Sequence, residues 1–137
     1  MAQTLHDLWD AVDDALLASA VTIGISSVEK GEMGKTTPVK PPGCLTFLTP
    51  GAHQQVHAGK LVALEVEVNV FCVASAKGSS SEAIDEALTV AVNVLEALGG
   101  STVNDCLLSV GENPIELVDP SSNHAVVSAT FTSQLRF

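Results

Sequence analysis

Leu61–Ala74 reads LVALEVEVNVFCVA, and its period decides the fold class. Val62, Leu64, Val66, Val68, Val70 and Cys72 fall on one parity; Glu65, Glu67 and Asn69 fall on the other. Strict alternation marks a strand with one dry face and one wet face. At roughly 3.3 Å per residue the stretch runs about 45 Å. The radius of gyration expected for a domain of this length is only about 14 Å. A straight strand of that length reaches past its own core, so something must cover the overhang. This points to assembly, and no motif in the chain declares a reaction.

Outward from this strand, composition sets the limits. The 137 residues fit one domain over 1–137, with enough chain to bury a core unaided. Apolar residues make up 46%, but the aromatic ones are only Trp9, Phe47, Phe71, Phe131 and Phe137. The core is therefore built mainly from Val, Leu, Ile and Ala. A formal charge of −10 opposes general binding to phosphate backbones and to anionic membranes. Cys44, Cys72 and Cys106 are an odd number, each inside an apolar run. They read as buried free thiols of a reducing compartment. The start MAQTLHDLWD lacks the features of a signal peptide, and no run approaches about 20 apolar residues. A soluble protein made in the cytoplasm is expected.

Thr4 to Ala20 reads as a helix. Thr4 and Asp7 form a capping pair, Leu5, Leu8, Trp9, Val12 and Leu16 form one stripe, and Asp10, Asp13 and Asp14 form a solvated acidic face. Val21–Ser26 reads as a short strand. Ser27–Gly43 (SVEKGEMGKTTPVKPPG) reads as a long loop projecting as a hairpin arm between two strands. Cys44–Leu48 is the second of those, ended by Pro50-Gly51. Ser79 and Glu82 open a second helix that runs to Leu98. Its apolar arc spans roughly 200°, about twice what one surface helix needs. Val90 and Val92 mark the edges of that arc. Asp105–Val110 and Pro114–Asp119 read as short strands. Ala125–Phe137 is a second long alternating strand, with Arg136 on its wet side. The order α-β-β-β-α-β-β-β predicts an α+β domain: an antiparallel or mixed sheet with two helices on one face.

The candidates for chemistry are thin. Gly34-Lys35-Thr36 suggests a phosphate loop, but Glu29 stands where that motif needs glycine and prolines follow in place of a helix. His53 and His57 have the i, i+4 spacing of a metal pair, in a segment that is not a confident helix. Glu65 and Glu67 would be an acid–base pair only in a desolvating pocket, and no nucleophile lies nearby. They read first as a charged wet face and next as an interface or channel wall. Lys30, Lys35 and Lys40 make the 27–43 loop a basic arm suited to an acidic neighbour.

This order and these local sequences, LEVEVNVFCVASAKG, SSSEAIDEALTVAVNVLEAL and HAVVSATFTSQLRF, resemble the tail terminator or tail completion proteins of tailed bacteriophages, with their Mu-like and lambda-like branches. The resemblance implies a non-enzymatic virion protein without cofactor or metal. It implies a hexameric ring that caps the head-proximal end of the tail tube and presents the head-joining surface. Its partners would be its own copies, the tail tube protein and the head–tail connector or neck proteins. DNA would pass through the channel without specific binding. The protein would assemble in the bacterial cytoplasm and end in the virion tail. Ring contacts are expected at Lys30, Lys35, Lys40, Glu65, Glu67, Asn69, Phe71, Val90, Val92 and Arg136. Two alternatives stay open: a head-completion connector at the neck, and a small α+β enzyme or ligand-binding domain using Glu65, Glu67, His53 and His57.

Overall fold

The computed structural model describes residues 4–31, 42–75, 80–119 and 124–137. Its elements are α1 (Leu5–Ala18), α2 (Ala20–Ile23), β1 (Ser27–Lys30), β2 (Gly43–His57), β3 (Lys60–Ser75), α3 (Ser80–Leu98), β4 (Thr102–Val103), β5 (Cys106–Leu107), β6 (Ser109–Asp119) and β7 (His124–Arg136). Five strands form a mixed sheet in the order β1-β2-β3-β7-β6, and β4 pairs with β5 separately. The expected α+β class holds, with three helices among the described residues in place of two.

The two long alternating strands lie side by side, antiparallel from Ala63 opposite Arg136 to Ser75 opposite His124. Val66, Val68, Val70, Cys72 and Ala74 of β3 are buried together with Val127, Ala129, Phe131 and Leu135 of β7. On α1, Leu8, Val12 and Leu16 are fully buried. On α3 the buried positions are Ala83, Ala87, Val90, Ala91, Val94 and Leu98, and all of these share one core. Each fully buried Val or Leu contributes about 1.5–3 kcal/mol. The small residues on α3 let the helix approach the sheet closely. Thr4 caps α1 as expected, its hydroxyl accepting from the Asp7 amide at 3.1 Å. Cys44, Cys72 and Cys106 are buried free thiols.

The overhang is real. β2 and β3 form a hairpin whose inner parts lie in the core, while nearly every residue from Thr49 to Leu61 is exposed. Its two-residue turn, Ala58-Gly59, has φ of +52° and +76°. Positive φ at both positions is the turn geometry that matches the twist of a hairpin.

Five expectations need correction. Val21–Ser26 is not a strand: Ala20–Ile23 makes one further helical turn. A half-buried strand would have buried Val21, which is 98% exposed. The turn is held by the Asn93 amide donating to the Ile23 carbonyl at 3.1 Å and closes at Gly24, φ +89°. Second, the 27–43 segment is not a hairpin arm at its base. Ser27–Lys30 is a strand parallel to Gly43–Thr46, so the chain leaves and re-enters in the same direction. Residues 32–41 lie outside the described residues, as does Ser79 of the expected capping pair. Third, Gly111-Glu112-Asn113 does not separate two strands. β6 runs through it, with an irregular register between Val110 and Ile115, while the turn lies earlier at Asn104-Asp105. Fourth, Asp13 is buried rather than solvated, at 8% exposure. Fifth, the strand from Cys44 does not end at Pro50-Gly51: β2 continues through them to His57, absorbing the proline as an irregular register between Pro50 and Gln54.

Candidate functional site

The core parity on β2, β3 and β7 faces the helices, so the other parity forms a sheet face with none of the described helices over it. Across that face Leu45 stands opposite Phe71 and Phe71 opposite Ser128; Phe47 stands opposite Asn69 and Asn69 opposite Thr130. Leu45, Phe47, Phe71, Val73 and Val126 are half-buried and make an apolar centre. The rings of Phe47 and Phe71 meet edge to face, centroids 5.1 Å apart at 77°. Gly31 lies under the Phe47 ring, where a Cβ would run into its far edge. The Thr130 hydroxyl donates to Asn69 Oδ1 at 2.9 Å. Exposed Glu67, half-buried Glu65 and exposed Glu116 give the face an acidic rim.

At the open end of this face lies a groove of about 440 Å³, lined among others by His53, Gln55, Glu65, Asp105, Ser133 and Arg136. His53 Nε2 stands 3.8 Å from Glu65 Oε2. Glu67 is elsewhere on the sheet, opposite Thr49 and Thr132, and His57 ends the hairpin opposite Lys60. Only two of the four residues an acid–base centre would need are therefore brought together. Ser133 Oγ is buried in the groove wall, with no hydrogen-bond partner among the described residues. Among the described residues no three His, Cys, Asp or Glu side chains are grouped to hold a metal ion. No described helix is long and apolar enough to cross a membrane.

Lys30 has a task inside the chain's own fold. Its ammonium lies 2.6 Å from Asp10 Oδ1 and 2.8 Å from Asp13 Oδ2. Asp13 Oδ1 accepts from the Thr46 hydroxyl at 2.6 Å, and Thr46 Oγ1 accepts from the Trp9 indole N–H at 2.8 Å. The hydrogen bond from Lys30 holds the Asp10 carboxyl below its ordinary value. The bonds to Asp10 and Asp13 push the Lys30 ammonium above its own. This network fastens α1 to the β1–β2 edge. On the dry side of the same strands, Cys44 and Cys72 face each other across the ladder, and the Cys44 contact with burial pushes the Cys72 thiol up.

Of the remaining expected contact residues, Lys35 and Lys40 lie outside the described residues. Val90 is enclosed by the chain's own core at 4% exposure, whereas Val92 is on the outside at 36%, beside Leu88 at 39%. Arg136 is exposed at the end of β7. The sequence reading missed the hairpin tip, where Val56 and Leu61 form an exposed apolar pair. The glycine-bearing dipeptide Ala58-Gly59, flanked at equal reach by Val56 and Leu61, is the turn signal that would have shown it. It also missed Leu117 and Val118, exposed on the edge strand β6.

No family model matches this chain. No curated protein matches it either. Solved structures do. A chain from the virion of a native gene transfer agent particle superposes with a TM-score of 0.59 at 15% identity, covering 96% of each chain. A second solved protein, which carries no functional name, superposes with a TM-score of 0.60 at 16% identity, covering 98% of this chain and 97% of its own. At these identities the likeness is one of fold, and it runs through nearly the whole length of both.

Proposed function

We infer that this chain is a structural virion protein of the tail-terminator type. In that reading copies of it form a ring, expected to be hexameric, at the head-proximal end of a tail tube. The ring ends tube growth and offers the surface to which the filled head joins. The observation that carries the reading is the end-to-end fold likeness to a chain of a gene transfer agent virion particle. The shape of the protomer supports it. One sheet face has an apolar centre and none of the described helices over it, a long hairpin stands clear of the core, and α3 keeps Leu88 and Val92 outside. Heterologous contacts that close on themselves give a ring and cover such surfaces. The contact set proposed is Glu65, Glu67, Asn69 and Phe71 on the sheet face, Val92 on α3, Arg136 at the groove, and Lys35 and Lys40 of the 27–43 segment; Lys30 leaves the set because it is engaged with Asp10 and Asp13. The acidic rim suits a channel that DNA crosses without sticking. The neighbours in this reading are the tube protein and the neck proteins.

Mass measurement and negative-stain microscopy on purified protein, alone and with tail tubes, test this. The expected result is a ring-sized species, or particles capping one end of each tube. A protein that stays monomeric and never binds a tube end would overturn it. Binding to a portal in place of a tube would move the protein to the neck.

A further inference from the structure

Charge along this chain is segregated. No Asp or Glu occurs from Met33 to Leu64, and no Lys or Arg from Gly78 to Arg136's neighbour Leu135. The fold turns this into two separate surfaces. The acid-free stretch ends in the tip of the β2–β3 hairpin, where exposed Val56 and Leu61 stand opposite each other beside His57 and Lys60. The base-free stretch contains α3. On its outer side Asp85, Leu88, Val92 and Glu96 follow one another at i, i+3, i+7 and i+11, which puts them on one line of the helix. All four are exposed, so the line reads acid, apolar, apolar, acid.

We propose that the hairpin tip of one copy docks on this α3 stripe of the next copy. The apolar pairs match in size. Val56 and Leu61 are directly opposed across a ladder, and Leu88 and Val92 are one helical turn apart; both arrangements space their side chains by about 5–6 Å. The charges match in sign: the tip carries Lys60, and the stripe is closed at both ends by carboxylates. The alternative of pairing open strand edges is less suited, because Pro50 and the irregular register beside it interrupt β2, and Pro114 interrupts β6. Tip and stripe are different surfaces of one chain, so the contact is head-to-tail and propagates from copy to copy until it closes. The contact rests on the ring reading above and specifies which parts of the protomer meet.

Cysteine cross-linking of the full chain tests it. Cys44, Cys72 and Cys106 are buried, so a short bismaleimide reports only on introduced thiols. Val56→Cys mixed with Val92→Cys is expected to give one-to-one linked dimers, and the double variant a ladder of higher multimers. Lys60→Glu is expected to weaken self-association by a few-fold, and Asp85→Lys with Glu96→Lys to restore it in that background. Val56→Asp is expected to weaken it by roughly tenfold or more, the loss of one buried aliphatic contact. Linked dimers from Val56→Cys alone would mean tip-to-tip pairing and overturn the proposal. A protein of ring mass that neither cross-links in the mixture nor responds to Val56→Asp would overturn it too, while leaving the ring reading standing. A chain that neither self-associates nor caps tubes defeats both.

Discussion

Thr46→Val isolates what the α1–sheet network is worth. Thr46 is fully buried, and its hydroxyl is the junction between two side chains of α1: it accepts from Trp9 Nε1 at 2.8 Å and donates to Asp13 Oδ1 at 2.6 Å. Valine keeps the shape and the branch of threonine and removes only the junction. The indole bond is a neutral one, worth about 1 kcal/mol net, and a bond to a carboxylate is worth about 1.5–3 kcal/mol. A buried methyl in place of the hydroxyl returns up to about 1 kcal/mol. Asp13 keeps its 2.8 Å contact with Lys30, so its charge is not left alone. The net expectation is a loss of about 2–3 kcal/mol, seen as a lower urea midpoint at unchanged slope. For a chain of this length that corresponds to a fall in Tm of roughly 6–12 °C. Thr46→Ser is the control. It keeps the junction and loses one methyl, at about 1 kcal/mol. Should the valine variant unfold within about 0.5 kcal/mol of the parent, or prove more stable than the serine variant, the network would not be what joins α1 to the sheet.

Three further outcomes follow from the same structure. Lys30→Met should remove a pH-dependent contribution. The Asp10 carboxyl is held below its ordinary 3.8, so its share is present above that value and lost as pH falls through the folded pKa; the Lys30 ammonium is held above 10.5, so its share is present below that value and lost as pH rises through its folded pKa. The gap between parent and variant in urea titrations should therefore be flat through the neutral range and shrink toward both extremes; a gap that peaks in acid would contradict this. Ala58→Asn should stabilise the protein by about 0.5–1 kcal/mol, because Ala58 has φ +52° and asparagine tolerates that region better. A lower Tm for that variant would show the turn to be built otherwise. Phe71→Glu removes one ring of the 77° pair on the sheet face opposite the described helices and should leave a folded chain without the proposed ring assembly, read by circular dichroism beside mass measurement. Rings that survive it would take Phe71 out of the contact set.

The fold class was legible because alternation is a local signal that burial enforces at every second residue. Val66 to Ala74 and Val127 to Leu135 bury the parity their sequence announces. The helix starting at Thr4 was legible for the same reason, its cap and stripe both being local. Ile23 was misread because Val21, Ile23 and Ile25 alternate as a strand would. The deciding contact is the amide of Asn93, which donates to Ile23 from far along the chain. Asp13 was misread because the helical wheel shows only its own helix. Lys30 and Thr46 that enclose it arrive from two other strands. Of the candidate site, the charged parity Glu65, Glu67 and Asn69 was readable, but not that Phe47 would join Phe71 in its middle, since that pairing depends on register.

The sequence by itself determined which residues turn inward, because each alternating or helical run carries its own dry side, and hydrophobic burial acts on every such run alike. It also determined that the long strand outruns its core. Only the tertiary structure decided what the overhang is: a hairpin arm shared by β2 and β3, set apart from an acidic stripe on α3. Strand pairing, register and the parallel entry of β1 join residues distant in the chain, and no local period specifies which distant partner will be met.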